Sequence, residues 1–118
     1  MLNYSEWGWV NVSYNFHITR ADDWADSVDN PITLEELIEY FNGKSDFEYS
    51  ETFSTSAPVC LSIGGDFFIW TYGDIKVPFL YNNGQITVSH AKDKIIEKMK
   101  EIASEIDAMV QGDDGELY

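Results

Sequence analysis

Positive charge is scarce in this chain: 7 Lys and Arg stand against 21 Asp and Glu in 118 residues, a formal net charge of −14 at pH 7. That balance argues against nucleic acid and anionic membrane surfaces as ligands, because both are gripped through Lys and Arg. The single cysteine, Cys60, leaves no internal disulfide and no cysteine zinc cluster, in keeping with a reducing compartment. No apolar run approaches the roughly 18 residues that span a bilayer. The opening MLNYSEWGW lacks the basic region and apolar core of a signal peptide, so the cytoplasm is the expected location.

Core material, by contrast, is ample. Hydrophobic residues make up 44% of the chain and aromatics 15%, well above a disordered acidic protein. A single domain over residues 1–118 is the expectation.

From Val10 to Ile18 the apolar residues Val10, Val12, Tyr14, Phe16 and Ile18 alternate with Asn11, Ser13, Asn15 and His17, the period of a strand with one wet face. TRADDWADSVDNP then has no sustained period and reads as a connection carrying one large apolar residue, Trp24. TLEELIEYFNG specifies a helix: Thr33 as N-cap, Glu36 closing a capping box, and Gly43 as the stop. Phe47, Tyr49, Glu51 and Phe53 alternate with polar residues as a second strand.

VCLSI, GGD and FFIWTY read as two strands joined by a glycine turn, and VPFLY, NNG and QITVSH repeat that grammar. Pro78 places its strand at an edge or at a strand start. From Lys92 onward the period becomes helical, with Ile95, Ile96, Met99, Ile102, Ala103, Ile106, Met109 and Val110 on one stripe. This predicts a helix of about 30 Å, at about 1.5 Å per residue, ended by Gly112. The fold class expected is α+β: an antiparallel β-meander sheet with a short N-terminal helix and a long C-terminal helix packed on it in two layers.

No motif specifies a reaction. GDDGE lacks the alternating acids and distant glutamate of a calcium loop, so no metal and no cofactor is expected. Acids are too many for any one pair to indicate hydrolytic chemistry. His17 and His90 read as exposed and without a catalytic role, Cys60 as buried and inert, and the protein as no enzyme. Trp9 lies on the polar parity of the first strand and is either covered by the chain's own ends or offered to a partner. In VQGDDGELY the helix should stop at Gly112, DDGE should turn, and Leu117 and Tyr118 should dock back as an ordered acidic corner.

NPITLEEL at Asn30–Leu37 and VQGDDGELY at Val110–Tyr118 resemble segments of a group of small acidic bacterial proteins that share an ITLEE helix start and a VQGDDGE end. By size and charge the chain also resembles immunity proteins of contact-dependent growth inhibition and other polymorphic toxin systems. That resemblance implies a monomer or weak dimer that neutralises a basic protein toxin domain, such as a nuclease. Its contact residues would be Asp22, Asp23, Asp26, Asp29, Asp113, Asp114 and Glu116, with Trp9 or Trp24 as anchor. The alternatives are a phage-type nucleic-acid mimic, which would use the same acids, and a small metal-dependent hydrolase.

Overall fold

The computed structural model describes residues 14–55 and 61–118. Six antiparallel strands form one sheet: β1 (Asn15–Thr19), β2 (Phe47–Thr55), β3 (Leu61–Tyr72), β4 (Ile75–Asn82), β5 (Gln85–Ser89) and β6 (Met109–Gly112). Their order is β2-β3-β4-β5-β1-β6, so the meander runs from β2 to β5 and β1 lies between β5 and β6. Two helices, α1 (Leu34–Asn42) and α2 (Asp93–Glu105), share one core with the sheet: Leu37 and Phe41 from the first, Met99, Ile102 and Ala103 from the second. They meet Phe16, Ile18, Phe68, Phe79, Ile86, Val88 and Val110 from the strands. The class is α+β, as the periodicities predict.

α1 forms where its signals stand. The Thr33 hydroxyl accepts from Glu36 N–H while the Glu36 carboxylate accepts from Thr33 N–H, and Gly43 follows the last turn. Arg20, at the end of β1, ties three elements together. It grips Glu36 with both Nη atoms, at 2.8 and 2.5 Å, and donates to the Ile106 carbonyl just past α2. The guanidinium beside it holds the Glu36 carboxyl down to about 2.

Four expectations need correction. The last helix ends at Glu105, about 20 Å long rather than 30, and Met109–Gly112 is strand. The stop is Asp107, in the left-handed region at φ 62°, with Ala108 N–H returning to Ala103 O at 2.8 Å. A short polar side chain tolerates that backbone, so no glycine is required. Gly112, far from capping a helix, is a buried strand residue whose added Cβ would collide with the Tyr14 hydroxyl.

The second correction concerns Gly64 and Gly65, which do not turn the chain. β3 runs straight through them, opposite a register shift between Ser50 and Thr52 of β2. A bulge gives the glycines a reason within one strand. Third, Pro78 sits in β4, which is interior to the sheet order. The β4–β5 ladder reaches only from Asn82 to Leu80, so the missing N–H of Pro78 lies beyond it. Fourth, TRADDWADSVDNP is more than a connection, since Trp24–Asp29 is 3₁₀-helical with a kink at Asp26, and its N-cap Asp23 accepts from Ala25 N–H.

The Asn83-Gly84 turn between β4 and β5 is as read, with φ of 50° and 82°. Gly84 also abuts the segment after the 3₁₀ helix: an added Cβ would lie 2.7 Å from Pro31 Cβ and 2.8 Å from Ser27 O. No helix among the described residues is long and apolar enough to cross a membrane.

Candidate functional site

Alternate residues of β1 turn away from the helices. Register places His17 between Thr87 of β5 and Gln111 of β6, and Thr19 beside Met109. This face is dry where the alternation predicted a wet one. His17 is 3% exposed, Gln111 1% and Gln85 6%, so the expectation of an exposed His17 is overturned. Period two tells which residues share a face; it does not tell what covers that face. The cover here is the 3₁₀ helix.

Trp24, at its start, lays its ring on the His17 imidazole with centroids 3.9 Å apart and planes 4° from parallel. Polar groups then close the layer. Gln111 receives Trp24 N–H on Oε1 at 2.9 Å and donates through Nε2 to the Asp22 carbonyl at 2.8 Å. Gln85 donates to the Trp24 carbonyl at 3.0 Å, and the Thr19 and Ser27 hydroxyls meet at 2.6 Å. The indole Nε1 of Trp24 donates to the Asp113 carbonyl at 3.2 Å. Apart from the carbonyl of the exposed Asp22, the partners belong to buried or half-buried residues that would be costly to leave unpaired.

His17 completes the link to the last residues. Its Nε2 lies 2.8 Å from Asp113 Oδ1 and its Nδ1 2.7 Å from Gln85 Oε1. The Gln85 amide is oriented by its own donation to Trp24 O, so its oxygen faces Nδ1 while the Asp113 carboxylate faces Nε2. Asp113 Oδ2 also accepts from Asn15 N–H at 2.9 Å. Both ring nitrogens are engaged within the fold. Thr87 Oγ1 stands 3.3 Å from Nδ1, behind the nearer Gln85 oxygen. The arrangement braces the fold and offers no nucleophile and base in the usual relation.

Past β6 the chain reverses tightly. Gly115 N–H donates to Gly112 O and Gly112 N–H to Glu116 O, both at 2.9 Å, with Gly115 at φ 84°. Tyr118 N–H reaches Val110 O at 3.0 Å, and its ring meets Phe16 edge-on at 5.1 Å. The turn and the contacts of Tyr118 are as expected, but the docking expected of Leu117 is corrected: its side chain is 68% exposed.

The two acidic stretches, some ninety positions apart, meet in this corner. Asp22, Asp23, Asp26 and Asp29 are exposed along the 3₁₀ segment, and Asp114 and Glu116 are exposed on the turn. Asp113 differs, because its carboxylate points inward to His17. Trp24 is half-buried and engaged within the chain. Trp9 and Cys60 lie outside the described residues. Sequence reasoning missed His17, Gln85 and Gln111 as the joint between the stretches. The available signal was Val110-Gln111-Gly112, a polar residue flanked as in a strand.

Among the described residues no group of three or more His, Cys, Asp or Glu side chains converges as metal ligands. No family model, curated protein or solved structure matches this chain, so the resemblance rests on ITLEE, VQGDDGE, size and charge alone.

Proposed function

We propose that this protein is an immunity-type inhibitor that acts in the cytoplasm by binding a cationic bacterial toxin domain, such as a nuclease, through its acidic corner. The observation that carries the reading is the amide of Gln111, which holds Asp22 and Trp24 beside the strand that leads into Asp113 and Asp114. Two acidic segments thus become one surface ordered before any partner arrives. Such an interface loses less freedom on binding than two mobile tails would. Six exposed carboxylates, Asp22, Asp23, Asp26, Asp29, Asp114 and Glu116, supply the field that steers a basic groove towards it. Trp24, half-buried among them, supplies the aromatic contact that slows release.

The six exposed carboxylates of this corner favour a basic partner there over an acidic one. The test is growth of cells producing the toxin domain encoded beside this gene, with and without this protein. Rescue is expected. No rescue, or no such toxin neighbour, contradicts the reading.

A further inference from the structure

A second surface lies on the other side of the sheet, with the opposite character. The start of α2 and the end of the β3–β4 hairpin enclose a groove of about 560 Å³, within the range of binding clefts. Its floor is Tyr72, Ile75, Val77 and Ile95. Tyr72 and Ile75 face each other in register and are 44% and 59% exposed, a large apolar surface for so acidic a molecule. Val77 joins this floor to the core beneath, and the Tyr72 ring stacks on Trp70 at 5.0 Å. The floor is thus anchored.

The rim is cationic. Lys92 and Lys94, two of the seven basic residues, line it. Lys92 makes no ion pair among the described residues, and Lys94 reaches Glu97 only at 3.8 Å with both side chains about two-thirds exposed. A pair so solvated holds its lysine weakly. Asp93 is the one acid in the lining, leaving the rim net positive on a chain of formal charge −14. Ile75 is too open to enclose a small molecule on all sides. A protruding side chain from a protein surface suits it better.

We propose that this groove docks an acidic segment of a partner protein. One large apolar side chain of that segment packs between Ile75 and Ile95, and its neighbouring carboxylates meet Lys92 and Lys94. The groove is on the helix side of the sheet and the acidic corner on the opposite side, so both can be occupied at once. The inference does not depend on the inhibitor reading.

The test uses the full chain and a panel of fluorescein-labelled peptides, each with one central Trp, Phe, Leu or Met flanked by Asp and Glu, followed by fluorescence polarisation. Saturable binding is expected for at least one peptide. It should weaken about tenfold or more in Ile75→Asp and in the Lys92→Glu/Lys94→Glu double variant, and remain unchanged in Ile63→Asp, an equally exposed control. Circular dichroism confirms that each variant is folded.

Several results overturn the proposal. They are no saturable binding across the panel, equal binding by the groove variants, or equal binding of peptides whose acids are replaced by Lys. Concentration-dependent self-association in sedimentation that is lost in Ile75→Asp would assign the groove to a second copy instead. Tighter binding to phosphatidylglycerol vesicles than to any peptide would assign it to a membrane.

Discussion

Replacing Asp113 by Ala removes the carboxylate that joins the last turn to the sheet. In the native fold it accepts from His17 Nε2 at 2.8 Å and from Asn15 N–H at 2.9 Å. A hydrogen bond to a charged group contributes about 1.5–3 kcal/mol. The Asp113 side chain is 28% exposed, so water recovers part of each bond, whereas the His17 side chain beneath it is only 4% exposed. Taking the low end for both bonds gives a loss of about 2–3 kcal/mol. For a domain of this size that corresponds to a melting point lower by roughly 8–12 °C.

The neighbouring Asp114 is exposed and makes no side-chain hydrogen bond among the described residues, so Asp114→Ala should stay within about 0.5 kcal/mol of wild type. Urea unfolding of the two variants measures both. Asp113→Asn, which keeps one acceptor, should fall between them. A cycle with His17→Gln should return a coupling of about 1–2 kcal/mol. If Asp113→Ala matches wild type, or Asp114→Ala loses as much, the brace assigned to His17 and Asp113 is wrong.

Three further outcomes follow from the same structure. Glu36 has a folded value depressed to about 2 by Arg20, so its contribution exists above its unfolded value near 4.5 and is lost as pH falls from there towards 2. A third of that side chain is exposed, which discounts the effect to about 1 kcal/mol, and Glu36→Gln should flatten that part of an acid titration followed by circular dichroism. Gly84→Ala should destabilise by about 2 kcal/mol or more in chemical denaturation, since it combines φ 82° with contacts under 3 Å; Gly73→Ala, at φ 60° in open space, should lose only about 1. Deleting Leu117 and Tyr118 removes the Tyr118 ring from Phe16 and its N–H from Val110 O, and thermal melts should show a loss of about 1–2 kcal/mol.

The parts of the fold that could be read from sequence were those decided by local chemistry. Thr33 and Glu36 satisfy each other's backbone within one turn, and Asn83-Gly84 accepts positive φ wherever it stands. The parts misread were decided by distant contacts. Met109 and Val110 fit the helical stripe of α2 and a strand equally well; pairing with Thr19 and Ile18 of β1 selects the strand. Gly64 and Gly65 look like a turn until β2 runs beside them. His17 looks wet until Trp24 covers it. For the candidate site, the acidic residues were visible as composition, but their joining through Gln111 and Gln85 is a tertiary event that no short window contains.

The central claim is that this acidic corner is a preformed binding surface for a basic protein. Its most direct test is calorimetry with the toxin domain that the proposed function places beside the gene, for wild type and for the combined Asp22→Asn, Asp26→Asn, Asp114→Asn and Glu116→Gln variant. The matched control removes four exposed acids elsewhere, Glu39→Gln, Glu48→Gln, Glu97→Gln and Glu101→Gln. The account predicts nanomolar binding by wild type and control, and a loss of about a hundredfold or more in the corner variant. Equal losses in both, or no complex with wild type, would contradict it.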